Sequence, residues 1–248
     1  MPLNVVILGG TKGIGRALAR RLAARGDRLH LLGRDGEELA RSAADLEAHM
    51  PTPSPVSWST CDLERPETFA SAVAEAATAL GGFDTAVITA GMFATQARLE
   101  ADLAFTESLL AVNFAHTVLF CEHVRAYLLA RSGGTLCVFS SVAGDRGRKP
   151  VILYGATKAG LSAYLEGLDH KFRSAGLRTI CVKPGFVRTA MTQGLPEPPF
   201  AADADDVAAT VVRAIDRGSP VVYAPPIWAL VMLVVRWLPR AVMRRVGI

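Results

Sequence analysis

The sequence predicts an α/β fold: a doubly wound parallel sheet of about seven strands with helices on both faces, followed by an amphipathic helical tail. Two observations carry this. Short strand-like runs alternate with longer segments of helical period, which implies a parallel sheet covered on both faces. The first run ends in a glycine-rich turn that opens a helix. The chain has 248 residues, half of them hydrophobic, with no break in composition before the tail. One large domain, 1–224, is therefore expected, with residues 225–248 as an apolar and basic tail.

The elements follow in order. Leu3 to Leu8 reads as a buried strand, and Arg16 to Arg25 as a helix with Ala17, Leu18, Leu22 and Ala23 inward. Arg28 to Gly33 is the second strand; a helix from about Gly36 to Met50 ends at the Pro51, Pro53, Pro55 loop. Val56 to Thr60 is the third strand, and the helix from Pro66 to Leu80 stops at Gly81-Gly82. Thr85 to Thr89 precedes a long helical region, about Asp102 to Arg131, closed by Gly133-Gly134. The fifth strand is Thr135 to Phe139, the next helix about Val151 to Ala175 with Gly176 past its end, and the sixth strand Leu177 to Val182. A proline-rich loop leads to a helix over Asp203 to Arg217, whose acidic first turn suits the dipole, and to a last strand at Val221 to Tyr223. In such a sheet ligands bind at the carboxyl ends of the strands.

Charge and cysteines narrow the function classes. The net charge is +4, and Arg236, Arg240, Arg244 and Arg245 supply all of it. The body is neutral, which argues against nucleic acid as a partner. Cys61, Cys121, Cys137 and Cys181 are far apart and lie in or beside apolar runs. They read as buried free thiols of a reducing compartment, with no metal site. Met1-Pro2-Leu3-Asn4 runs into the first strand without a charged leader region, so no signal peptide is expected and the cytoplasm is the expected location.

Gly9-Gly-Thr11-Lys12-Gly13-Ile14-Gly15 occupies the first strand-to-helix turn. Glycines there let backbone approach a pyrophosphate, and the helix N-terminus offers free N–H groups to the anion. A dinucleotide binder commonly carries an acid after the second strand for the adenosine ribose. Here the strand tip is Gly33, then Arg34 and Asp35. Arg34, with Lys12 as a second cation, suits a 2′-phosphate and predicts NADP(H) over NAD(H), with Asp35 as ribose ligand the competing reading. Asp62, after the third strand, is placed either to accept from the adenine amino group or to cap the following helix.

Tyr154 and Lys158, at i and i+4, share a helix face. A tyrosine is a poor acid–base group at neutral pH, and a neighbouring ammonium with a positive nicotinamide favours its phenolate. Ser141 lies where the fifth strand meets its loop and can hold a substrate carbonyl; Asn113, mid-helix, can anchor a water linking Lys158 to solvent.

Together with the glycine turn, these residues resemble the short-chain dehydrogenase/reductase family, over about Leu3 to Tyr223. Pro184-Gly185-Phe186-Val187-x-Thr189 matches as well. The resemblance implies a Rossmann-type sheet and hydride transfer to a carbonyl carbon while Tyr154 protonates the oxygen. It implies that Lys158 lowers the Tyr154 pKa and binds the nicotinamide ribose, that Ser141 orients the substrate and that Asn113 completes the relay. It places Ala90, Gly91, Pro184, Gly185, Val187 and Thr189 around the nicotinamide half, and implies a homodimer or homotetramer. Two positions depart from the family pattern: Leu8 where Thr is usual, and Ile88-Thr89 where two Asn are usual.

In the tail, Ile227 to Val235 is wholly apolar, too short to span a bilayer, and is followed by Trp237 and the arginines. Val242, Met243 and Val246 can share a face opposite Arg240 and Arg244. This suits the plane of an anionic membrane over residues 227–248, at the inner face, with a buried subunit interface as the competing reading. The tail and the context Tyr154-Gly-Ala-Thr-Lys158-Ala-Gly-Leu161 resemble the decaprenylphosphoryl-2-keto-ribose reductase branch. With Met92, Phe93, Phe186, Met191 and Phe200 as apolar pocket residues and Ala190 to Ala202 as a lid, that predicts a lipid-linked ketone. A 3-ketoacyl or 3-ketosphinganine chain, or a non-catalytic dinucleotide scaffold, are the alternatives.

Overall fold

The computed structural model describes residues 2–52 and 54–246; Met1, Pro53 of the proline loop and residues 247–248 of the tail lie outside them. The elements run β1 (Asn4–Leu8), α1 (Gly13–Arg25), β2 (Arg28–Gly33), α2 (Gly36–Glu47), β3 (Ser57–Thr60), α3 (Phe69–Leu80) and β4 (Thr85–Ile88). Then come α4 (Gln96–Ala101), α5 (Leu103–Leu110), α6 (Thr117–Ala130), β5 (Gly134–Phe139), α7 (Ile152–Phe172) and β6 (Leu177–Pro184). The chain closes with β7 (Val187–Arg188), β8 (Ala202–Asp203), α8 (Ala204–Arg217), β9 (Val221–Ala224), α9 (Ile227–Trp237) and α10 (Arg240–Arg245).

Seven strands form one parallel sheet in the order β3-β2-β1-β4-β5-β6-β9. Successive side chains of a strand point to opposite faces, so each strand feeds two cores. Val5, Ile7, Leu29 and Leu31 meet α1, α2 and α8 through Leu18, Leu22, Leu39 and Val211. Val6, Leu8, Leu32 and Ile88 meet α3, α6 and α7 through Phe69, Phe120, Val124 and Leu165. The strand order reverses between β1 and β4, which opens a crevice at their carboxyl ends. The four cysteines are buried free thiols, and no metal-binding cluster is found among the described residues.

The predicted long helix over 102–131 begins later and is not uniform. Thr95 caps α4 and Asp102 caps α5, accepting from Arg98 N–H and Phe105 N–H. A π-helical turn, Ala111–His116, joins α5 to α6. The helical run Leu103–Ala130 is long and apolar enough to cross a membrane by length and composition. Its buried side chains, among them Leu109, Val112, Phe120 and Val124, are instead part of the protein core. The predicted lid over 190–202 is tied at both ends by a two-stranded parallel ladder of β7 and β8 that the sequence did not signal. The tail forms α9 and α10, with Met232 only 1% exposed.

Candidate active site

The crevice begins at the glycine turn. Gly9 takes φ +94°, and a Cβ there would stand 2.7 Å from Ala90 N and from Thr89 Oγ1. A Cβ on Gly15 would overlap the Gly9 carbonyl. Only glycine permits this approach of β1, α1 and β4. The Thr89 hydroxyl donates to the carbonyls of Leu8 (3.2 Å) and Gly9 (2.9 Å), so a β4 side chain steadies the turn from across the crevice. Helix α1 has no side-chain cap and no acid in its first turn. Its N–H groups and positive dipole end are therefore left for an anion, as a dinucleotide pyrophosphate requires.

Gly9 N–H donates to the Leu32 carbonyl at 2.9 Å, which brings the tips of β1 and β2 together. Lys12 and Arg34 thus flank one end of the crevice, both exposed. Neither takes part in an ion pair among the described residues. Asp35, the competing ribose ligand, caps α2 by accepting from Glu38 N–H at 3.1 Å. Asp62 folds into a local turn, accepting from Glu64 N–H at 3.0 Å.

The other end of the crevice gathers the expected polar set. Lys158, 5% exposed, donates to the Phe139 carbonyl at 2.9 Å and lies 5.7 Å from the Tyr154 ring centroid. Phe93 meets the Tyr154 ring edge-on, centroids 5.1 Å apart. Ser141 accepts from Ala143 N–H at 3.1 Å, so it does cap its loop, and it also donates to the Pro184 carbonyl at 3.4 Å. Burial pushes the Tyr154 phenol up to about 12, with the Ser141 hydroxyl working against the rise. Burial likewise lowers Lys158 to about 8. Without a bound cofactor the phenol is thus a proton donor; the phenolate expected beside the ammonium needs the positive nicotinamide as well.

Asn113 sits in the π-helical turn, fully buried. Its Oδ1 accepts from Met92 N–H at 2.6 Å and its Nδ2 donates to the Met92 carbonyl at 2.7 Å. The amide thus splints the backbone of Met92, next to Gly91.

Sequence reasoning missed a polar set behind Ser141. Lys183 Nζ meets Asp145 Oδ1 at 2.5 Å with both side chains almost wholly buried, and the Tyr223 hydroxyl donates to Asp145 Oδ2 at 2.6 Å. This ties the Ser141 loop to β6 and β9. A lysine inside the apolar run of β6 was the signal available. Thr189 lies near the glycine turn, its methyl 3.4 Å from where a Gly13 Cβ would be. Thr192 closes the next turn by donating to the Val187 carbonyl at 2.6 Å. Arg188 holds the lid through Glu197 (2.6 Å) and Asp203 (3.1 Å).

A dinucleotide cradle leading to a tyrosine and a lysine on one helix face defines a class, the nicotinamide-dependent oxidoreductases of α/β fold. Residues 3–199 match the family described as short chain dehydrogenase, and the chain belongs to that family, whose members bind a nicotinamide dinucleotide. It is an enzyme acting on CH–OH or C=O groups. An uncharacterised oxidoreductase of Mycobacterium tuberculosis is 36% identical, the match covering 97% of this chain and 96% of that one. Carbonyl reductase family member 4 of Xenopus tropicalis is 29% identical over 77% of this chain and 78% of its own. The crystal structure of levodione reductase superposes with a TM-score of 0.80 at 25% identity, covering 90% of this chain and 96% of that one.

Proposed function

We propose that this enzyme is an NADPH-dependent reductase of ketones, acting on a lipid-linked carbonyl compound such as a polyprenyl-phosphate keto sugar. The observation that carries the reduction is the placement of Tyr154 and Lys158 on one face of α7, with Lys158 Nζ 5.7 Å from the Tyr154 ring centroid; burial there favours the protonated phenol. Held in the cradle described, a reduced nicotinamide cofactor would supply the hydride equivalent for the carbonyl carbon. Tyr154 gives its proton to the carbonyl oxygen, so the ketone gains one hydride and one proton and leaves as the alcohol. Ser141 donates to the same oxygen and orients it. Lys158 holds the nicotinamide ribose and stabilises the phenolate left behind. Asn113 holds the backbone of Met92 and completes the proton relay from Lys158, and Ala90, Pro184, Gly185, Val187 and Thr189 position the nicotinamide half. Gly9, Thr11, Gly13, Ile14 and Gly15 hold the pyrophosphate; Arg34 and Lys12 select the 2′-phosphate.

Support for a lipid-borne substrate comes from the tail. Ile227, Leu230, Leu233, Val234 and Trp237 form an outward apolar stripe on α9, Leu230 being 61% and Trp237 81% exposed. Arg236, Arg240, Arg244 and Arg245 lie exposed beside it. Apolar surface ringed by arginine is the composition of a helix lying in an anionic membrane interface. The pocket residues Met191 and Phe200 are exposed on the lid.

The test of the chemistry is Tyr154→Phe. Ketone-dependent NADPH oxidation is expected to fall at least about a thousandfold, in keeping with loss of the general acid, with cofactor binding by fluorescence unchanged. Retained turnover would sink the assignment.

A further inference from the structure

We propose that Trp228 forms a wall of the substrate pocket and that its indole N–H donates a hydrogen bond to a substrate oxygen next to the reacting carbonyl. This deepens the ketone-reductase reading and rests on it. Trp228 stands in the first turn of α9. Its ring lies so close against Gly185 that a Cβ there would overlap the indole nitrogen. Gly185 follows Pro184, whose carbonyl receives the Ser141 hydroxyl. A single residue therefore separates the indole from the group that Ser141 touches. On its other side the indole meets Phe200 edge-on, centroids 6.3 Å apart. Phe200 holds φ +64°, a left-handed conformation uncommon for a bulky side chain. Strain of that kind persists where surrounding contacts over-determine it, and it concentrates at ligand clamps.

The indole nitrogen is shielded from solvent and has no hydrogen-bond partner among the described residues. Burying a donor without an acceptor is unfavourable, and native interiors contain few such groups. A ligand oxygen beside Gly185 would remove the deficit. The position of α9 is also fixed from the site itself. Arg146, from the loop after Ser141, donates to the Leu238 carbonyl at 2.8 Å and to the Arg236 carbonyl at 3.4 Å. Lys149 donates to the Arg244 carbonyl at 2.6 Å. These carbonyls lie at or near the ends of α9 and α10, where cations are favoured. The loop that presents Ser141 thus also anchors the helix that presents Trp228. The substrate class is a ketone with a hydroxyl or ether oxygen on the neighbouring carbon, preferred over a plain ketone of equal length.

The experiment compares 1-hydroxy-2-octanone with 2-octanone for the full chain and for Trp228→Phe, which keeps an aromatic wall and removes the N–H. The ratio of kcat/KM, hydroxyketone over plain ketone, is expected to fall about tenfold in the variant, the worth of one hydrogen bond. NADPH binding by fluorescence checks that the variant is folded. A second readout is independent of turnover: indole N–H signals of 15N-labelled protein, with NADP+ bound. The chain has three tryptophans, and the signal missing from the variant is that of Trp228. It should move on adding the hydroxyketone and move less with the plain ketone. An unchanged ratio, or a signal that responds alike to the two, overturns the proposal. If the full chain reduces neither ketone, these two compounds are not its substrates. The Trp228 signal then decides alone: selective movement keeps the indole as a ligand donor, and no movement removes it.

Discussion

Arg34 and Asp35 show how neighbouring residues divide two tasks at one strand tip. The carboxylate of Asp35 is committed to the first turn of α2, while Arg34 is exposed and takes part in no ion pair among the described residues. Arg34→Ala should therefore raise the Kd for NADPH about tenfold or more, the range of a charge-assisted hydrogen bond, and leave NADH nearly unchanged. Equal losses for both cofactors in a titration would refute that role. The same scale explains what was legible in advance. Gly9, Gly13, Gly15, Tyr154 and Lys158 announce themselves because their spacing is local. Thr89 on the Gly9 carbonyl, and Lys183 with Tyr223 on Asp145, join positions 80, 38 and 78 residues apart. No periodicity encodes such pairings. The buried Trp228 nitrogen depends on the path of α9 and was equally hidden.

At the scale of elements, the seven strands of the main sheet were readable to within a residue or two, because they alternate with helical segments and central ones such as β1 and β4 are buried on both faces. The π-helical turn was not, since helical period is the same on either side of it. Helix α9 carries two apolar stripes. Trp228, Met232 and Val235 face the body, and Ile227, Leu230, Val234 and Trp237 face outward. The outward stripe can be altered without touching the packing of the inward one. The combined change Leu230→Ser, Val234→Ser, Trp237→Ser should abolish flotation with vesicles containing anionic phosphatidylglycerol, with NADPH binding retained. A wild-type chain that does not float, or a variant that floats as well, would contradict the membrane reading and return the stripe to a subunit interface.

At the scale of the whole molecule, one sheet supports both halves of the site, and its stability carries a pH signature. His30, 2% exposed on β2, lies between the hydroxyls of Ser57 (2.8 Å) and Ser59 (3.0 Å). Burial lowers its pKa to about 4. The unfolded chain, with an ordinary histidine near 6.5, binds more protons between those values. Stability is then intact above pH 6.5 and lost as pH falls toward 4, by at most about 3 kcal/mol from this residue. Urea unfolding of His30→Asn across that window should show a flatter pH dependence than the natural chain; identical slopes would remove His30 from the account.

The central claim is that hydride reaches a carbonyl carbon at the Tyr154 end of the crevice. It is tested most directly with NADPH carrying deuterium at the transferable position, 1-hydroxy-2-octanone as substrate, and mass analysis of the alcohol. The prediction is one deuterium on the carbinol carbon with the natural chain, and labelled alcohol formed at least about a thousandfold more slowly by Tyr154→Phe at equal cofactor occupancy. Unlabelled alcohol, or labelled alcohol formed equally fast by the phenylalanine variant, would contradict it.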